Sequence, residues 1–136
     1  MAIPRSKQRR HHMRVQARWP VACQRIGRNG IAGEPFPAET LNLSAGGVGL
    51  ISAQPLFRPM RVAVRLDMGE LNLVVRGTVT RVDAREEGRM AAIRFDPLPI
   101  KEQLAITRFV MREARERGQL SRAVDPGTPR WWLPAA

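Results

Sequence analysis

The stretch Arg61–Asp67, RVAVRLD, sets Val62, Val64 and Leu66 on one side of an extended chain and Arg61, Ala63, Arg65 and Asp67 on the other. That two-residue period fits a strand with one buried face. Met68-Gly69-Glu70 then reads as a turn, and LNLVVRGTVTRV, Leu71–Val82, as a second and longer strand. Leu71, Leu73, Val75 and Val79 share one of its faces, and Gly77 marks a bend or a place of close packing. The rest of the chain has to be compatible with this β core.

It is. Val15–Ile26 reads as a first strand with Pro20 near an edge or bend. Ala38–Leu43 and Val48–Ser52 flank a glycine turn, and Arg89–Phe95 is a last strand. The segments between them, Gly27–Pro37, Gln54–Pro59 and Ala84–Gly88, are loops rich in glycine, proline or charge. Turns about every eight to twelve residues predict a small antiparallel barrel or sandwich. After Pro97 and Pro99 the period becomes helical, from Ile100 to Arg117, with Gly118 just past the end. Ile100, Leu104, Ile106, Val110, Met111 and Ala114 form the expected apolar stripe, with Phe109 off it on the far side.

A chain of 136 residues holds one such domain plus tails. The expected organisation is a flexible basic arm over residues 1–14, a barrel plus helix over 15–118, and a tail over 119–136 that carries Trp131-Trp132. The apolar content of 43% supports one core; with aromatics at 5% and no tyrosine, that core is built mainly from Val, Leu, Ile, Ala and Met. Trp19 is expected to pack at the barrel end. Glu86-Glu87 is expected to be solvated in its turn. The single cysteine, Cys23, excludes an internal disulfide and reads as a small core residue. No apolar stretch follows the charged N-terminus, and no run is long enough to span a bilayer, so a cytoplasmic protein without membrane insertion is expected.

The net charge of +11 is unevenly distributed. Arg5, Lys7, Arg9, Arg10, Arg14, Arg18, Arg25 and Arg28 all precede the first acidic residue, Glu34. Such a block attracts an anionic partner, whether nucleic acid, nucleotide or acidic membrane. Within it Arg10 and Arg14 form RxxxR, with Arg9 directly before. Two arginine forks can grip phosphate, or the O6 and N7 of guanine; alone, the spacing is equally that of a solvated basic tail. In NLSAGGVGL, Asn42 and Ser44 alternate and so point the same way along a strand. An asparagine amide suits a guanine edge, and Gly46 and Gly47 permit positive φ and close approach of a ligand. Alone, this stretch is equally a hairpin turn.

Catalysis and metal binding have little to stand on. Ser44 lacks the first glycine of a G-x-S-x-G elbow, and the only histidines, His11 and His12, are adjacent. One cysteine and two neighbouring histidines make no structural zinc site. No catalytic residue, metal or cofactor is expected, and His11 and His12 read as spacers in the arm.

Taken together, Arg10-x-x-x-Arg14, 27 intervening residues and Asn42-x-Ser44-x-x-Gly47 resemble the signature of the PilZ domain family, bacterial receptors for cyclic di-GMP. RRHHMRV before a strand with Pro20-Val21, the long strand near Val75, and AAIRF before a final amphipathic helix extend the resemblance over roughly Arg9–Arg117. It implies a six-stranded antiparallel β-barrel with a C-terminal helix, no enzymatic activity, and the ligand-binding set Arg9, Arg10, Arg14, Asn42, Ser44, Gly46 and Gly47. It also implies an arm that folds over the ligand, signals to a downstream protein partner, and a role in motility or biofilm regulation. Arg9 matches a pattern that favours an intercalated pair of ligands, so two per chain are expected. Ala92 departs from the glycine many members carry, for which a modest backbone change is expected. Two other readings stay open: a basic barrel binding single-stranded nucleic acid, and a ligand-blind adaptor of the same fold working through Phe109 and the tryptophan tail.

Overall fold

A computed structural model describes residues 12–119. Seven strands and a helix follow one another: β1 Arg14–Gln16, β2 Pro20–Arg25, β3 Phe36–Ser44, β4 Gly47–Ser52, β5 Arg61–Met68, β6 Leu71–Arg85, β7 Gly88–Phe95 and α1 Ile100–Glu116. All strand pairings are antiparallel. Six strands run in the order β3-β2-β5-β6-β7-β4, and β4 pairs back onto β3, closing a barrel. The expected six-stranded barrel with its C-terminal helix is therefore present, with β1 as an extra strand.

The predicted single strand Val15–Ile26 is broken in two. β1 and β2 lie end to end along β3, β2 opposite Phe36–Glu39 and β1 opposite Asn42–Ser44. Between them the chain loops over Thr40, which is fully buried. Its hydroxyl accepts from the Trp19 N–H at 2.9 Å and donates to the Ala17 carbonyl at 2.7 Å. One threonine thus satisfies backbone groups that the break would leave unmade. Arg14, assigned to the arm by the sequence reading, is the first residue of β1. On the side of β1 away from β3, the side chain of Gln119 meets the backbone of Gln16. Its amide oxygen accepts from the Gln16 N–H at 2.9 Å, and its nitrogen donates to the Gln16 carbonyl at 2.7 Å.

The alternating residues point as expected. Val62, Val64, Leu66, Val75 and Val79 are at most 1% exposed, as are Leu43 and Leu50 across the barrel. Each such burial contributes about 1.5–3 kcal/mol. Cys23 lies among them, and burial pushes its thiol up to about 12, which keeps it protonated and inert.

The helix corrects one expectation. Phe109 does not lie on the far side; it is buried with Ile106, Val110 and Ala114, whereas Ile100 and Leu104 are exposed. Apolar residues occupy more than half of the helix circumference, so periodicity alone left the contact face open. Tertiary packing selects it: the rings of Trp19 and Phe109 stand 5.3 Å apart, and Arg117 lies 5.1 Å over Trp19. Trp19 therefore packs where the helix meets the barrel, and Phe109 offers no free surface for an adaptor role. Trp131-Trp132 lie outside the described residues. Glu87, expected to be merely solvated, accepts from Arg18 at 2.9 and 3.4 Å, while Arg18 also bonds Glu39 at 2.8 Å. No helix among the described residues is long and apolar enough to cross a membrane.

The start of β5 is tied to the residue after β7 by a two-pronged pair, Arg61 to Asp96, with both bonds at 2.6 Å. The hydrogen bonds from Arg61 hold the Asp96 carboxyl below the usual carboxylate range. A depressed folded-state pKa adds stability above the ordinary aspartate range and loses it as pH falls through the folded value. Both side chains are 41% exposed, which screens the pair to about 1 kcal/mol or less. Asp96→Asn is expected to lower Tm by a few degrees at pH 7, about 4 °C at most. The gap should close below about pH 4. A gap that stays constant down to pH 2 in thermal melts would show that the charge is not responsible.

Candidate functional site

Strands β3 and β4 meet in a tight turn, Ala45-Gly46, between the paired residues Ser44 and Gly47. Ser44 is 6% exposed, and its hydroxyl accepts from the Gly46 N–H at 3.2 Å and donates to the Gly47 carbonyl at 3.4 Å. The Gly46 carbonyl in turn accepts from the Phe95 N–H at 2.9 Å, which pins the turn to the end of β7. The glycines are needed for a different reason than the sequence suggested. Neither Gly46 nor Gly47 has positive φ. A Cβ on Gly47 would overlap the Ile93 carbonyl oxygen, so glycine there lets β4 and β7 approach. A Cβ on Gly46 would stand 2.8 Å from the His12 ring, so glycine there leaves room for that side chain.

Two β-bulges aim the side chains around this turn. Along β3, Ala38 and Thr40 face the core, and strict alternation would send Asn42 inward as well. The register shifts between Thr40 and Asn42, Leu43 takes the core position, and Asn42 and Ser44 face outward together. Gly49, directly across on β4, has no side chain to block Asn42; a Cβ there would stand 2.8 Å from the amide nitrogen. The second shift lies in β6, between Val79 and Arg81. Val79 is fully buried, Val82 packs on the core again, and Thr80 and Arg81 turn outward. The Thr80 hydroxyl donates to the Ala92 carbonyl at 3.2 Å.

These strands enclose an open cavity of about 600 Å³ on the barrel surface, within the usual size for small-molecule sites. One wall carries His12, Arg14, Asn42 and Ser44; glycines 46, 47 and 49 lie at its base; Thr80, Arg81, Ala92 and Arg94 form the opposite wall. Three guanidiniums and no carboxylate line it. Of the expected site residues, Arg14, Asn42, Ser44, Gly46 and Gly47 come together here, and Arg9 and Arg10 lie outside the described residues. Gly49, Thr80, Arg81 and Arg94 also line the cavity, outside the set expected from the sequence. For Gly49 a signal existed, since counting back through the two-residue turn sets it near Asn42. For Arg81 and Arg94 the outward aim depends on a bulge and on barrel closure, which no local pattern announces. Ala92 is half-buried in the wall and pairs with Gly49, with β4 and β7 in regular register.

The chemistry on offer is recognition. An amide, a hydroxyl and a fork of guanidiniums suit a planar, hydrogen-bonding, anionic ligand. No group of three metal-ligating side chains occurs among the described residues. A second hollow of about 280 Å³ holds Arg18, Glu39 and Glu87, whose charges are already spent on one another.

A family model for the PilZ domain matches residues 8–112. No curated protein matches the sequence. Among solved structures, the PilZ domain of YcgR from Escherichia coli with c-di-GMP is 21% identical over 86% of this chain and 100% of that one, with a TM-score of 0.63. The Bacillus subtilis inhibitor of motility MotI/DgrA is 24% identical over 85% of this chain, with a TM-score of 0.59. The chain spans only 57% of that protein's length. The PilZ domain of CeSA from a cellulose-synthesizing bacterium is 20% identical over 73% and 95% of the two chains, with a TM-score of 0.54. At these identities the likeness is one of fold.

Proposed function

The chain belongs to the PilZ domain family, and on that premise we propose that it is a non-enzymatic receptor for cyclic di-GMP. The observation that carries the reading is the meeting of Arg14, Asn42, Ser44, Gly46 and Gly47 at one carboxylate-free cavity. Of these, Arg14, Asn42, Ser44 and Gly47 are the described members of two motifs separated by 27 residues in sequence. The YcgR PilZ domain, whose structure contains c-di-GMP, shares the fold over 86% of this chain.

In this reading Arg10 and Arg14 grip phosphate and guanine, and Asn42 presents its amide to a guanine edge. Ser44 has its hydroxyl on the turn and contributes by fixing the loop beside the ligand. The arm before β1 closes over the bound ligand, and the rearranged surface meets a protein partner in the cytoplasm, in a pathway such as motility or biofilm control. Ordering the arm costs free energy, so affinity is the surplus after that cost. Arg9, next to Arg10, adds a cation for the four phosphates of an interleaved ligand pair, because such charges repel one another unless neutralised.

Titration calorimetry tests the proposal. The expected result is micromolar affinity or better, about −8 kcal/mol, with two ligands per chain and one for Arg9→Ala. Absence of heat and of any Tm shift at excess ligand, with clear binding to single-stranded nucleic acid, would replace this reading by the basic-barrel one. A stoichiometry of one in the wild type would remove the role given to Arg9.

A further inference from the structure

The bulge in β6 has a cost and a product. It takes Thr80 out of the ladder with β7, since Val79 pairs with Ile93 and Arg81 with Ala92. Its product is the position of Arg81. Without the extra residue, alternation from the buried Val79 would drive the Arg81 guanidinium into the barrel core. With it, Arg81 stands 66% exposed at the cavity wall facing Arg14 and Asn42. The same device on β3 delivers Asn42 from the other side. Bulges are known to re-aim side chains beside binding sites.

The surroundings of Arg81 indicate what it would hold. Its Nε lies 3.4 Å from the Asp83 carboxylate, two residues along the same strand. That contact engages the Nε side of the guanidinium. It also sets a negative charge next to Arg81. A phosphate brought there meets repulsion as well as attraction. A guanine edge does not, because O6 and N7 are uncharged acceptors spaced for an arginine fork.

Building on the receptor reading above, we propose that Arg81 is a specificity-determining residue that reads the O6/N7 edge of a guanine of the ligand. It is held in place by the Thr80 bulge and by Asp83. It lies outside both motifs that carried the functional reading, and it approaches the ligand from the opposite wall.

The experiment uses the full chain as wild type, Arg81→Ala and Arg81→Lys, titrated with cyclic di-GMP and with cyclic di-AMP, whose adenines carry an amino group where guanine has O6. Thermal melting confirms that each variant is folded. The expected result is an affinity for cyclic di-GMP weaker by about tenfold in Arg81→Ala, the loss that goes with one good bidentate contact. Arg81→Lys should be equally weak, because lysine keeps the charge and loses the fork. Binding of cyclic di-AMP should change less than twofold in both variants. Rescue by lysine, or equal weakening for both ligands, would make Arg81 a general cation and overturn the assignment while leaving the receptor reading intact. Wild-type protein that binds neither ligand would overturn the receptor reading, and this one with it.

Discussion

Gly47→Ala is expected to lower Tm by roughly 10 °C and to abolish measurable binding of cyclic di-GMP. The added methyl would overlap the Ile93 carbonyl oxygen, which belongs to the β7 backbone and cannot turn aside as a side chain can. Relief requires β4 and β7 to separate where they pair, at Gly47 with Arg94 and Val48 with Ile93. Overpacking of this kind costs about 3 kcal/mol, and that corresponds to roughly 10 °C for a domain of this size. The same movement displaces Arg94 and the Ser44 turn, both at the cavity. Gly46→Ala is the control. Its methyl meets the His12 ring, a side chain that can rotate away, so its Tm should fall by about 2 °C or less. Melting curves and calorimetry on the two variants check this. If Gly47→Ala melts within 2 °C of wild type and still binds, the close approach of β4 and β7 is not what the glycine serves.

Arg14→Ala is expected to weaken cyclic di-GMP binding by about ten- to a hundredfold, the range for losing a hydrogen bond to a charged group, about 1.5–3 kcal/mol. Arg10→Ala should do the same. Arg25→Ala belongs to the same basic block but not to the cavity, and its guanidinium lies 4.8 Å over the Phe57 ring. Its affinity should change about twofold or less, through weak long-range electrostatics that salt screens. Three variants weakened alike would mean a diffuse basic surface, and the nucleic-acid reading would gain.

What could be read in the sequence is what depends on neighbours along the chain. Val62, Val64 and Leu66 alternate without interruption, and their strand lies where the pattern set it. Asn42 and Ser44 are two apart, so their common direction held whichever way the strand faced. Outward direction is another matter. Leu41 and Thr80 look like ordinary strand residues, yet a register shift at each reverses the parity of everything after it. The break at Ala17–Trp19 is similar: it rests on Thr40, some twenty residues away, whose hydroxyl supplies the missing partners. Phe109 was misplaced because its partner, Trp19, is ninety residues distant. Half of the cavity was legible because two motifs mark it. The wall with Arg81 and Arg94 exists only once the barrel has closed.

Gln119 acts on Gln16 as a strand of one residue would, offering an acceptor and a donor at the spacing of a peptide unit. It partners the backbone of Gln16 on the side of β1 that turns away from β3. A chain cut before this glutamine leaves that N–H and carbonyl facing solvent on an open sheet edge, the kind of template on which copies of a protein add to one another. A shortened version for crystallisation or for fusion to another domain therefore keeps the Gln16 backbone partnered only if it extends through residue 119.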